Sequence, residues 1–214
     1  LTRGSLLGPF INGDDLGVGS IPDELILPAN LETVVFDSEL PVGYRRLRKA
    51  LLFNSTFIEE AIFIDALSYT DITVQPWDKY DGLIGEAITA DGIKDSDFIG
   101  AKKDAQYLMP ASVFVKANMA YESSELIAYN DYFFSVKKRT INPDVPYGRT
   151  FCAYTQITIQ NAGSNKCRMM CSVEAEFPKG PPIVARSIKS AMRQGVSDMF
   201  LEFGGAIEKY AVIV

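Results

Sequence analysis

Apolar residues recur at two different periods along this chain, and the change of period divides it. Between Lys166 and Phe177, the residues Cys167, Met169, Cys171, Val173, Ala175 and Phe177 share one face, with Arg168, Met170, Ser172, Glu174 and Glu176 on the other. Thr150 to Gln160 splits the same way, with Phe151, Ala153, Ile157 and Ile159 opposite Tyr154, Gln156, Thr158 and Gln160. A period of two with one apolar face predicts antiparallel strands covered on one side. Asn161-Ala162-Gly163-Ser164 supplies the turn that makes these two strands a hairpin. Beyond Pro181-Pro182 the period lengthens. Val184, Ile188, Met192, Val196, Met199, Phe200, Phe203 and Ile207 return at helical spacing, predicting one helix from Ile183 to Ala211. Gly195 and the Gly204-Gly205 pair each weaken that helix by about 1 kcal/mol relative to Ala, and permit a close approach or a kink.

Upstream, Glu32 to Phe36 is β-rich and Val42 to Leu52, after Pro41, is helical. Asn54-Ser55-Thr56 offers N-cap residues for a second short helix, Phe57 to Leu67, with Glu59 and Glu60 in its first turn. Further strand-like segments run Asp71 to Pro76, Leu83 to Ala90, Ala105 to Val115 and Leu126 to Val136. Asp91-Gly92 and Asn142-Pro143-Asp144 carry turn chemistry between them. The order is strand, two helices, six strands, long helix. It predicts an α+β fold in which a curved antiparallel sheet of about seven strands grips the last helix. Residues 1–30, rich in Gly, Pro and Asp, read as an extended lead-in, and residues 31–214 as a single domain. Gly17-Val18-Gly19 lacks the preceding strand and following helix of a phosphate loop.

Composition narrows the chemistry. A length of 214 residues suits one domain, and a net charge of −6 argues against a nucleic-acid partner. No apolar stretch approaches the roughly 20 residues of a membrane-spanning helix, so a soluble chain is expected. The start, Leu1 to Phe10, has no signal-peptide pattern. There are no histidines, which removes imidazole acid–base chemistry, His-activated nucleophiles and His-ligated zinc together. No cofactor or metal is expected. Cys152, Cys167 and Cys171 form an odd set without CxxC spacing, and they read as small buried hydrophobes in a reducing compartment.

Particular residues carry a resemblance. Ile141-Asn142-Pro143-Asp144-Val145-Pro146-Tyr147-Gly148, followed by Thr150-Phe151, resembles the signature of the VASt domain, the StART-like domain of the Lam and Aster sterol-transfer proteins. Thr70-Asp71-Ile72 running to Pro76-Trp77, the basic-aromatic stretch Lys102 to Met109, and Cys167-Arg168-Met169 agree with it. The resemblance covers roughly Leu31 to Tyr210. Tyr107-Leu108-Met109-Pro110 and Phe114-Val115-Lys116-Ala117-Asn118 look closer to fungal members than to animal ones. It implies a helix-grip fold and a sterol, ergosterol or cholesterol, held between sheet and long helix and carried between membranes without catalysis. It also implies a monomeric cytosolic domain of a larger protein, anchored in the endoplasmic reticulum at contacts with the plasma membrane.

Several residues admit two readings. The Pro143–Gly148 run is read as structure rather than as a binding loop, with Tyr147 packed at a sheet corner. Tyr107, Met109, Tyr132, Phe134, Phe151 and Met169 either fill a dry core or wall a cavity, and the small residues Gly85, Ala87, Ala128 and Ala153 leave room for one. The resemblance favours the cavity, lined also by Ile72, Val74, Cys171, Met192 and Val196. A sterol needs one or two polar partners, for which Gln75, Tyr107, Asn130, Tyr132 and Thr155 are available. Arg45, Arg46 and Lys49, and likewise the clusters Lys102-Lys103 and Lys137-Lys138-Arg139, are either a solvated helix face or strand ends, or cations that dock transiently on anionic lipid. Phe53-Asn54-Ser55-Thr56-Phe57 matches the position of the family's lid loop; the plainer reading makes its two aromatics core anchors. A helix-grip enzyme would need carboxylates or lysines such as Glu86, Asp131 or Lys102, and no pair of these has motif spacing. A lipid-gated interaction module is the third reading.

Overall fold

The computed structural model describes residues 21–53, 57–79, 98–112, 115–163 and 165–212; at residues 49, 53 and 210–212 it describes the backbone alone. Seven strands and three helices follow in order: β1 (Thr33–Leu40), α1 (Tyr44–Phe53), α2 (Phe57–Ala66), β2 (Thr70–Val74), β3 (Lys102–Met109), β4 (Asn118–Tyr129), β5 (Phe133–Ile141), β6 (Cys152–Gly163), β7 (Lys166–Glu176) and α3 (Ala185–Val212). The strands form one antiparallel sheet in the order β1-β7-β6-β5-β4-β3-β2. This is a helix-grip fold, with α3 packed mainly on β1, β7 and α2.

The hairpin read from the alternation is present, with Ile157 opposite Cys171 and Ile159 opposite Met169. All four of these side chains are buried on the inner face, and Phe134 and Val136 of β5 continue the same rows. The three cysteines are free and buried. Residues 21–32 form no helix or strand. Their end lies along the outer face of the sheet, where Gln156 donates to the Ala29 carbonyl at 2.9 Å and the Leu31 amide donates to Ser172 Oγ at 3.0 Å.

Two strand assignments need correcting. Leu126 to Val136 is not one strand but the end of β4, a turn, and the start of β5. Asn130 makes the break. Its Oδ1 accepts from the amides of Tyr132 and Phe133 at 2.8 and 2.9 Å, a side-chain-closed turn that an apolar count cannot register. The other segment, Ala105 to Val115, ends at Met109, because Pro110 has no amide to continue the ladder. The expected strand at 83–90 lies outside the described residues, and β4 before Leu126 has no counterpart among the expected strands. Seven strands were predicted and seven are described, but they are not the same seven.

The second helix is a π-helix over all ten residues, unlike the α-helix its pattern suggested. It buries Phe57, Ala61, Ile62 and Phe63. Helix α3 is fixed at its N-terminal half by Lys189 and Arg193, which both bond the Glu32 carboxylate, at 2.7 and 3.0 Å. Of the glycine pair, Gly204 is the close approach: a Cβ there would meet the Phe36 ring at 3.1 Å. A Cβ at Gly205 would meet nothing.

The Pro143–Gly148 run is structural, although not through Tyr147. That side chain is 55% exposed rather than packed at a corner, and its backbone adopts φ 62°. What the run secures is a tight turn. The Gly148 amide donates to the Val145 carbonyl at 2.9 Å, and the Asn142 carbonyl sits where a Cβ at Gly148 would have to go. The clash is with backbone, so it cannot be relieved by a rotamer change. Gly148→Ala is therefore expected to cost about 2–4 kcal/mol and lower the melting temperature by roughly 5–15 °C. Gly195→Ala, at an exposed helix position where a Cβ meets nothing, is expected to raise it slightly. Thermal melts of the two variants check both directions.

Candidate functional site

The register divides the inner face of the sheet into two halves of different character. In one half Leu40, Phe134, Ile159, Met169, Cys171, Phe200 and Ile207 are all but inaccessible and pack against one another as a dry core. The other half is polar at its floor. Here β3, β4, β5 and β6 align two rows across the sheet: Lys103 opposite Ser124, which is opposite Lys138, which is opposite Thr155, and beside them Ala105, Glu122, Thr140 and Ala153.

Glu122 is the centre of these rows. Its Oε1 accepts from Lys138 Nζ at 2.9 Å and from Ser124 Oγ at 3.2 Å, and its Oε2 accepts from the Tyr107 hydroxyl at 3.1 Å. Burial pushes this carboxyl upward, but the charge and hydrogen bond of Lys138 outweigh it and hold the group below its ordinary value. Burial, reinforced by the Glu122 charge, keeps Tyr107 protonated well above the usual phenol range. Tyr69 stacks flat on Tyr107 at 4.5 Å and donates to Met199 Sδ of α3 at 3.5 Å, so this contact joins sheet to helix. Phe63 of α2 tilts against both tyrosine rings.

Around this floor the apolar side chains are packed against the core without being sealed by it. Ile72, Val74, Ala105, Met109, Met192, Val196 and Met199 all retain accessible surface. These residues come from β2, β3 and the N-terminal half of α3. Such walls, with a polar floor carrying small residues, suit an amphiphile whose apolar body lies along α3 and whose polar end meets the strands.

The residues expected at a cavity therefore fall into groups. Ile72, Val74, Met109, Met192 and Val196 are partly accessible apolar side chains packed on the core, Ala153 and Thr155 lie in the polar rows, and Tyr107 is buried beside them, bonded to Glu122. Phe134, Met169 and Cys171 lie in the dry core. Phe151 sits at the sheet end, paired with Phe177 at 6.2 Å between centroids. Gln75 is exposed, one residue past the end of β2 and of opposite parity to Val74. Tyr132 is in the β4–β5 turn, at the end away from the polar rows. Neither Gln75 nor Tyr132 joins the site. Lys103, Lys138, Glu122 and Ser124 share the polar rows instead; the sequence offers the two lysines only as cations for a membrane surface or a solvated strand end, because β4 is largely unrecognised and an inward-facing charge runs against the alternation rule.

The basic cluster and the lid also change. Arg46 is only 7% exposed, so it presents no charge to a membrane in this conformation. Arg48 is buried as well, donating to the Asn130 carbonyl at 2.8 Å and lying over the Tyr129 ring. Arg45 is half-buried and faces Asp131 at 3.8 Å, while the Lys49 side chain is not among those described. Phe57 is fully buried as a core anchor of α2, the plainer of its two readings. Asn54, Ser55, Thr56 and the Phe53 side chain lie outside the description. Among the described residues no group of acidic, Cys or His side chains could hold a metal, and no helix is long and apolar enough to cross a membrane.

Solved structures resemble the chain only distantly. A conserved protein from Geobacillus kaustophilus is 12% identical, with 81% of this chain and 93% of that one covered at a TM-score of 0.42. Ara h 8.0201 is 13% identical, with 83% and 96% covered at 0.42, and norcoclaurine synthase from Thalictrum flavum is 16% identical, with 85% and 99% covered at 0.36. Likenesses this distant say nothing about activity. No curated protein sequence matches the chain significantly. The family profile described as "VAD1 Analog of StAR-related lipid transfer domain" matches residues 34–195, from the first strand into α3. The chain belongs to this VASt family of lipid-binding domains.

Proposed function

We propose that the domain takes up one sterol molecule between the polar-floored half of the sheet and α3, and carries it between membranes unchanged. The observation that carries this reading is the incomplete seal of the interior. Ile72, Val74, Met109, Met192, Val196 and Met199 are walls with accessible surface, next to a dry core that shows how tightly the same fold can pack. A rigid, nearly apolar ligand with a single polar end matches walls and floor of this kind. The proposal needs no metal or nucleotide and no covalent step. The setting that suits it is a Lam-type protein anchored in the endoplasmic reticulum, with this domain exchanging lipid at a contact site.

Titration of the purified domain with a fluorescent sterol, with chelator present, is expected to saturate at one to one. Absence of binding by a folded protein overturns the sterol reading. Ala153 tests the position of the ligand. It lies beside Thr140 and Ala175 in the register and retains accessible surface. Ala153→Trp is expected to reduce sterol affinity at least tenfold while shifting the melting temperature by only a few degrees, because the added ring occupies ligand space. In a filled core the same change costs roughly 1–3 kcal/mol or more by overpacking. A severe loss of stability would therefore place Ala153 in solid packing.

A further inference from the structure

The polar floor holds more positive than negative charge. Lys138 is satisfied by Glu122, and the Glu122 carboxylate is filled by Lys138, Ser124 and Tyr107. Lys103 stands beside this group on the same face, directly opposite Ser124 in the register. It has no hydrogen bond or ion pair among the described residues, and its ammonium lies over the Trp77 ring at 4.7 Å. Trp77 is itself held in place by donating from Nε1 to the Leu52 carbonyl at the end of α1, at 2.8 Å. Glu59, half-buried on α2, is the other acidic group whose charge reaches Lys103.

We infer that Lys103, with Lys138 beside it, forms a subsite for an anionic headgroup, so that the domain prefers an amphiphile ending in a sulfate or carboxylate over the same skeleton ending in a hydroxyl. This rests on the proposed reading of the cavity as a sterol site and specifies its polar end. Among the described residues, Lys138 is hydrogen-bonded to the one carboxylate of the floor, Glu122, and the Lys103 ammonium meets only the longer-range charges of Glu122 and Glu59. An unpaired charge in such a place is costly, and a bound anion removes the cost while adding a charge-assisted hydrogen bond. Burial already shows its effect on Lys103. Together with repulsion from Lys138, it lowers the ammonium to about 8, while Glu122 and Glu59 oppose the shift. Lys103 also retains some accessible surface, so a ligand group can reach it.

Stability should then follow pH in a definite direction. Lys103 binds its proton less tightly in the folded state than in the unfolded one, whose value is near 10.5. The unfolded state therefore holds more protons between those values, and the stability of the empty domain rises as pH increases from about 8. Above about pH 10 the buried Tyr69 and Tyr107, both held neutral, oppose the trend. Lys103→Met should raise the melting temperature at pH 7 and abolish the rise between pH 8 and 10.

The decisive measurement displaces a bound fluorescent sterol with cholesterol or with cholesteryl sulfate at pH 7. Wild-type protein is expected to bind the sulfate about tenfold more tightly. Lys103→Met is expected to lose that preference and to bind the two sterols with equal affinity. Equal affinities in wild type, or a preference that survives in Lys103→Met, overturn the subsite. If neither sterol binds, palmitate is compared with hexadecanol by calorimetry. Lys103-dependent preference for palmitate upholds the headgroup subsite and rejects the sterol; no binding of either rejects both.

Discussion

One helix cannot cover seven strands. At 28 residues α3 is about 42 Å long but only about 10 Å wide, the breadth of roughly two strands at 4.8 Å spacing. It settles where the apolar rows are densest, over β1 and β7, with Gly204 admitting the Phe36 ring. The strands beyond must be covered by something else. Helices α1 and α2 supply part, with Tyr44 against Phe134 and Phe63 against Tyr69 and Tyr107, and among the described residues the remainder stays unsealed. The division into a dry half and a receptive half follows from that mismatch of widths.

The charges at the floor obey a second constraint. A lone buried carboxylate would be prohibitive, so Glu122 is surrounded by three donors from three strands. Such an arrangement adds little net stability over a hydrophobic replacement of the same shape. It does hold β3, β4 and β5 in one register, since a one-residue slip would turn every donor to the other face.

The sequence revealed the parts of this molecule that follow periodicity and left hidden the parts that depend on side-chain company. Cys167, Met169, Cys171 and Val173 alternate cleanly, so β7 and its hairpin could be read directly, as could the helical spacing that ends at Ile207. Strand β4 could not, because its inward positions are Ala120, Glu122, Ser124 and Leu126, two of them polar. At the candidate site the apolar positions follow periodicity, as Met109, Met192 and Val196 do, whereas Lys103 and Lys138 look like any surface lysines until the register brings them together. The buried arginines of α1 misled for the same reason, since Tyr129 and the Asn130 carbonyl that receive Arg48 lie some 80 residues away. The Pro143–Gly148 run identified the family, yet its chemical content is a turn that only glycine can close.

The pairing of β1 with β7 has a consequence for how the chain assembles. Asp37 and Arg168, which form an ion pair across those strands, are 131 residues apart in sequence. Closing so long a segment carries an entropic cost that local hairpins do not bear, although that cost grows only slowly with length. The meander from β3 to β7 can zip through neighbouring turns, while β1 has no strand beside it until β7 exists. On the ribosome, then, the first of the seven described strands to emerge is among the last to be paired. Until α3 follows, Phe36 and Leu40 have no cover, which leaves an apolar edge open to chaperones and to misassociation during synthesis.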